Sequence, residues 1–257
     1  MPIIEEHKLI FYHLPKTGGN SICDFFEVPI SGHNHYNHYK SKLEARGKNI
    51  KDYRKFTVVR DPVDRFLSAY KHYKWGHPDY FSSADEELKI KYFGGFSGDI
   101  NDFVEVHCHV QAEIDLTDSS VERFKKTQIG HENAPERLIV DVPHFWPQHA
   151  LLVSSDLAAP NDHLKLYPVP LDYILRLENL EENIQSLLSA EKISSNKKLR
   201  HLRKIAFPEQ EEKLTIASIK EIQRLYSSDY LMFNDIFERT GRPKFNMINY
   251  GFYSGDK

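Results

Sequence analysis

Lys16 stands just ahead of a glycine pair in His13-Leu14-Pro15-Lys16-Thr17-Gly18-Gly19-Asn20-Ser21, and Arg60 opens the segment Arg60-Asp61-Pro62-Val63-Asp64-Arg65-Phe66-Leu67-Ser68-Ala69-Tyr70. Both patterns are suited to binding anions. A glycine pair between a strand and a helix lets backbone N–H groups close on an anion, and the helix N-terminus adds partial positive charge. Lys16 supplies a full charge, and Thr17, Asn20 and Ser21 offer short side-chain donors. The order differs from a nucleoside-triphosphate loop, G-x-x-x-x-G-K-[ST], where Lys follows the glycines and a hydroxyl meets magnesium. With Lys16 first, a phosphate chain must be held differently. Taken alone, the glycine pair is equally compatible with a plain connecting turn.

Arg60 follows directly on a buried apolar strand, a costly place for a guanidinium unless an anion or carboxylate meets it. Its fork and the hydroxyl of Ser68, eight positions further on, can reach one phosphate dianion. Asp61 and Asp64 are the competing partners. Arg65 faces away from the Phe66 and Leu67 stripe and is expected to be solvated or ion-paired. Lys16 and Arg60 together read as two grips on a doubly phosphorylated nucleotide.

The elements that must position these groups are visible in the apolar pattern. Lys8 to His13 is a short apolar run halted by Pro15 and the glycines, followed by Ile22, Phe25 and Phe26 at helical spacing. Phe56 to Val59 is a second such run. It leads through Asp61 as N-cap and Pro62 at the first helical position into Val63, Phe66, Leu67 and Tyr70. Between them, Ile30 to Tyr36 predicts a short strand and loop, and His38 to Arg46 a helix ended by Gly47. Residues 75–148 are less regular: Gly94-Gly95, Gly130 and Pro135 interrupt them, Asp99 to Val110 reads as helix and Pro143 to Pro147 as loop. Leu151 to Val153 and Tyr173 to Leu177 read as strands. Asn179 is placed to cap a helix carrying Leu180, Ile184, Leu187 and Leu188, and Pro208 to open a long helical region through Tyr226. Alternating strands and helices predict an α/β domain with a mostly parallel sheet covered on both faces.

At 257 residues and 40% hydrophobic content, the chain is expected to form a single domain over residues 1–257. A formal net charge of −3 gives no global reason for nucleic-acid binding, so any anion site must be local. Two cysteines, Cys23 and Cys108, support neither a disulfide framework nor a zinc cluster; both are expected to be packing residues in a reducing compartment. The first ten residues lack a signal-peptide pattern, and no stretch approaches the ~20 apolar residues of a membrane span. A cytoplasmic location without membrane contact is expected.

The two segments resemble the signatures of sulfotransferases that use 3′-phosphoadenosine-5′-phosphosulfate: P-K-T-G-x-x-S matches Pro15 to Ser21, and R-[DN]-P-x-x-R-x-x-S-x-Y matches Arg60 to Tyr70. Their flavour is that of the carbohydrate and bacterial branch. Weaker similarity runs through Pro143-His144-Phe145-Trp146-Pro147-Gln148, through Glu178-Asn179-Leu180, and through Tyr226 to Phe233, so that residues 8–235 are covered. The resemblance implies a three-layer P-loop-like sulfotransferase fold with a central mostly parallel sheet flanked by helices. Residues 75–148 would then form an insertion on the acceptor side.

It also implies roles. The donor would be held by Lys16, Thr17, Gly18, Gly19, Asn20, Ser21, Arg60 and Ser68, with Lys16 at the bridging oxygen between sulfate and 5′-phosphate. The acceptor would be a hydroxyl, on a glycan or small molecule, shaped by His144 and Gln148. Of fourteen histidines, His35 best suits the place of the catalytic base in related enzymes, with His33 and His144 as alternatives. No metal is expected, because a sulfuryl group carries less charge than a phosphoryl and no paired-carboxylate magnesium site is evident. Glu178 has no assigned role. The basic run Lys197 to Lys204 reads mainly as a solvated helix face. Two other functions compete: a nucleotide or small-molecule kinase, and a non-catalytic nucleotide-binding protein of the same fold.

Overall fold

A computed structural model describes residues 2–30, 36–75, 98–105, 143–154, 167–200, 213–245 and 247. Its main sheet has four strands in the order β1 (Ile3–Ile4), β2 (Leu9–Tyr12), β3 (Arg54–Val59) and β6 (Tyr173–Arg176). The last three run parallel, while β1 pairs antiparallel with β2. Two further short strands, β4 (Val153–Ser154) and β5 (Tyr167–Pro168), form a separate antiparallel pair.

Alternation along the strands sorts two cores. Leu9, Phe11, Phe56, Val58 and Leu175 face α1 (Gly19–Phe25) and α4 (Leu180–Ala190), whose Ile22, Phe25, Ile184 and Leu187 complete that layer. Ile10, Tyr12 and Val59 face the other way. They pack against Tyr39 and Leu43 of α2 (Tyr36–Glu44) and against Phe233 and Phe237 of α6 (Ser227–Arg239), together with Trp146 and Leu152. This is a helix–sheet–helix sandwich. Helix α3 (Pro62–Trp75) follows β3, and α5 (Ile216–Leu225) packs against it.

Several boundaries depart from the sequence reading. Strand β6 stops at Arg176, and Leu177–Asn179 forms a 3-10 turn leading into α4; Asn179 stands at the cap position but makes no side-chain cap bond. The expected strand at Leu151 to Val153 begins only at Val153, because His149–Leu151 is a 3-10 turn. Helix α5 starts at Ile216, where Thr215 Oγ1 accepts from the N–H of Ser218 at 3.1 Å. Residues 208–212 of the expected helix lie outside the described residues. Residues 197–200 are not helical: Lys197 pairs with Glu27 at 2.7 Å and Arg200 with Asp24 at 2.5 Å, tying this basic run to α1 and the turn after it. Cys23 is buried in the core as expected, whereas Cys108 lies outside the described residues.

Phe56 is fully buried and stacks on Phe11 with ring centroids 5.0 Å apart, at the middle of the β2–β3 pairing. Truncation there leaves a cavity between strand and helices. Phe56→Ala is expected to cost about 3–5 kcal/mol, read from urea denaturation midpoints; a loss below about 1 kcal/mol would contradict this placement of the core.

Candidate functional site

The first loop leaves the carboxyl end of β2. Thr17 is buried, and its Oγ1 donates to the Leu14 carbonyl at 3.0 Å, closing the turn on itself. Lys16 adopts φ +64° and Gly18 φ +83°, both in the left-handed region. The first helical bonds of α1 come from Ser21 and Ile22, whose N–H groups both reach the Gly18 carbonyl. The N–H groups of Thr17, Gly18 and Gly19 therefore have no acceptor among the described residues. A row of such donors at a turn is an anion cradle.

Gly18 is favoured by its left-handed backbone and Gly19 by the ring packed over it. A Cβ on Gly18 would come within 2.6 Å of Leu177, and one on Gly19 within 1.9 Å of the His13 ring. His13 lies over the loop while stacking on Phe11 at 5.6 Å. The sequence reading assigns His13 no role, although it opens the segment that carries the motif. Lys16 and Asn20 are half-buried, and Ser21 is buried in the first turn of α1.

The second loop leaves β3, the parallel neighbour of β2. Asp61 Oδ1 accepts from the N–H groups of Val63 (2.9 Å) and Asp64 (3.3 Å), so Asp61 caps α3 ahead of Pro62. Its oxygens also accept from the Tyr230 hydroxyl, and its own N–H donates to Glu178 at 2.8 Å. Neither Asp61 nor Asp64 pairs with Arg60. Among the described residues the Arg60 guanidinium makes no hydrogen bond or ion pair, although burial lowers its pKa against the opposing pull of Asp64, Glu178 and Asp61. A half-buried guanidinium with no carboxylate partner among the described residues has the charge and the donor fork to hold an anion. Ser68 is half-buried on α3, its hydroxyl unbonded among the described residues.

Arg65 corrects the sequence reading. It is 2% exposed rather than solvated, and among the described residues it pairs with no carboxylate. Instead Nη1 donates to the carbonyls of His144 (3.2 Å) and Trp146 (2.9 Å), and Nη2 donates to Trp146 as well. Among the described residues its Nε finds no partner, and burial depresses its pKa. Nothing in the local pattern reveals this, because the segment that receives Arg65 lies some eighty residues away.

Gln148, expected on the acceptor side, is wholly buried with its amide engaged elsewhere. Oε1 accepts from the Arg60 N–H at 2.9 Å, and Nε2 donates to the Arg60 carbonyl at 2.8 Å. The backbone N–H groups of Gln148 and His149 donate to the buried Asp229, each at 2.8 Å, and Tyr226 donates to the Phe145 carbonyl at 2.6 Å. The H-F-W-P-Q segment and the Tyr226–Asp229 segment are thus one structure behind Arg60. His144 is half-buried and stacks on His72 at 5.7 Å. His33 and His35 lie outside the described residues.

The loop of Lys16 and the loop of Arg60 therefore both leave the carboxyl ends of two paired parallel strands. The model of the sulfotransferase family matches residues 2–237, and the chain belongs to that family. It is accordingly an enzyme of sulfuryl transfer. No curated protein and no solved structure gave a significant match. Among the described residues no helix is long and apolar enough to cross a membrane, and no group of acidic, histidine or cysteine side chains is arranged to hold a metal ion.

Burial pushes the Asp61 carboxyl up to about 6, outweighing the N–H bonds that favour its ionised form. The folded protein thus holds this proton more tightly than the unfolded chain does. The resulting stabilisation is complete below about pH 4 and is lost as pH rises through about 6. Asp61→Asn keeps the cap acceptor but cannot ionise. Its stability relative to the wild type is expected to rise by on the order of 2 kcal/mol between pH 4 and pH 7, measured by urea titration at both; a constant difference would contradict the assignment.

Proposed function

We propose that the enzyme transfers a sulfuryl group from 3′-phosphoadenosine-5′-phosphosulfate to a hydroxyl of a carbohydrate, through one domain that spans the chain and without a metal. One observation carries this reading: two loops that follow neighbouring parallel strands carry the N–H groups of Thr17, Gly18 and Gly19 and the guanidinium of Arg60, all without a hydrogen-bond partner among the described residues, and the first of these loops also carries the charge of Lys16. A nucleotide phosphorylated at one position needs one grip. A donor carrying phosphate at both the 3′ and 5′ positions needs two, and open α/β sheets bind such ligands at the carboxyl ends of their strands.

When bound, the donor supplies a sulfuryl group activated by a phosphate leaving group. The N–H groups of Thr17, Gly18 and Gly19 hold the 5′ side, with Asn20 and Ser21 at the first turn of α1. Thr17 contributes its backbone, since its hydroxyl hydrogen is already donated to Leu14. Lys16 neutralises charge that grows on the leaving oxygen, where fixed charge is most effective in an excluded site. Arg60 and Ser68 hold the 3′-phosphate. In-line displacement then asks the protein mainly to align donor and acceptor.

His35 accepts the proton of the attacking hydroxyl in this reading, with His33 and His144 as the alternatives. The similarity of both motifs to carbohydrate sulfotransferases supports a glycan acceptor, and the two-cysteine composition supports a cytoplasmic location.

Two measurements test this. Adenosine 3′,5′-bisphosphate, without metal, is expected to stabilise the wild type by about 2.7 kcal/mol at one hundred times its Kd, while ATP with magnesium gives no comparable shift. Arg60→Ala should lose most of that stabilisation, and the reverse ligand preference would favour a kinase. In a labelled-donor assay against glycans, Lys16→Ala is expected to lower kcat by about 10²–10³. His35→Ala should cost about 10²–10⁴ with bisphosphate binding retained; unchanged transfer would move the base to His33 or His144.

A further inference from the structure

We infer that Gln148 is a positioning residue: its side-chain amide fixes the backbone of Arg60, aims the guanidinium at the 3′-phosphate, and so sets the preference for nucleotides phosphorylated there. The inference rests on the reading of Arg60 as the 3′-phosphate grip.

Arg60 lies just past the end of the sheet. The last pair of β3 with β2 is Tyr12 with Thr57, and its last pair with β6 is Val59 with Arg176. Beyond Val59 neither strand offers a partner, yet the peptide groups on both sides of the Arg60 Cα are bonded. Gln148 bonds both, accepting from Arg60 N–H at 2.9 Å and donating to Arg60 C=O at 2.8 Å. One side chain thus does what a neighbouring strand residue does within a ladder. A primary amide presents a donor and an acceptor side by side at any pH, which a carboxylate cannot.

The guanidinium itself makes no bond among the described residues, so its direction depends on where the backbone points it. Gln148 can serve as a fixed reference because it is itself held. It is 0% exposed, its N–H donates to Asp229 at 2.8 Å, and Arg65 clamps the Trp146 carbonyl two residues before it. A glutamate here would turn an acceptor toward the Arg60 carbonyl, and an aliphatic side chain would leave both peptide groups unpaired.

The test compares affinities for adenosine 3′,5′-bisphosphate and adenosine 5′-phosphate by calorimetry in the wild type, Gln148→Met, Arg60→Ala and the double variant. Gln148→Met keeps the side-chain volume and removes both bonds. It is expected to weaken the bisphosphate about tenfold while leaving the 5′-phosphate within about twofold, so that the preference falls. The double variant should bind no more weakly than Arg60→Ala, as two residues acting through one contact are non-additive. Equal loss for both ligands, or a preserved preference in Gln148→Met alongside its loss in Arg60→Ala, overturns the positioning role. A wild type with no preference, or an Arg60→Ala that keeps it, removes the 3′-phosphate grip itself and this inference with it. If circular dichroism shows Gln148→Met unfolded, Gln148→Asn, which keeps the amide and shortens its reach, gives the same readout.

Discussion

The parallel pairing of β2 with β3 is the constraint on which the site depends. Leu9 to Tyr12 lie opposite Arg54 to Thr57, and the Thr57 hydroxyl donates to the Tyr12 carbonyl at 2.7 Å near the end of the ladder. Paired strands lie about 4.8 Å apart, so loops that leave them at the same edge start as neighbours. The register cannot slip by one residue without driving Phe56 and Val58 out of one core and Val59 out of the other. Apolar burial on both faces of the sheet therefore keeps the loops that carry Lys16 and Arg60 leaving the same end of it.

Behind Arg60 the structure keeps a set of polar groups that would be costly if left unmatched. The turn at 144–149 presents the carbonyls of His144 and Trp146 to the Arg65 guanidinium and the N–H groups of Gln148 and His149 to the Asp229 carboxylate. A buried cation and a buried anion thus face opposite ends of the turn's peptide dipoles and share their charge through it. Buried charges of this kind contribute little net stability compared with apolar replacements. What they supply is direction, since each bond has a required geometry and the turn has few alternatives that satisfy them all. That turn carries the amide that holds Arg60.

A second brace lies on the other side of Asp61. Glu178 accepts from the Asp61 N–H and from Arg176 Nε, and Arg176 in turn donates to the carbonyls of Pro243 and Lys244 while lying over the Phe245 ring at 4.5 Å. Asn234 brackets Phe245 through both its amide groups. The segment after α6 is thereby tied to the end of β6, next to the residue that begins the second loop. Tyr230, whose hydroxyl stays neutral because burial raises its pKa, completes the contact by donating to Asp61.

Local chemistry was legible in the chain to a considerable depth. The two strand–turn–helix units, Asp61 as the cap before Pro62, the termination of α2 near Gly47 and the apolar stripe of α4 all follow from patterns within a few residues, because hydrogen bonding and side-chain periodicity at that range depend on neighbours in sequence. So does the presence of two anion-binding motifs, and with it the family. Tertiary structure decided the rest. Arg65 and Gln148 are polar residues that would sit well in water, and only a segment returning from far along the chain makes one a buried clamp and the other a substitute strand partner. The glycines show the same division: the need for Gly18 is partly local, in its positive φ, but the need for Gly19 arises from the His13 ring packed above it. Sequence names the groups capable of chemistry, whereas their orientation follows from long-range packing that no local window contains.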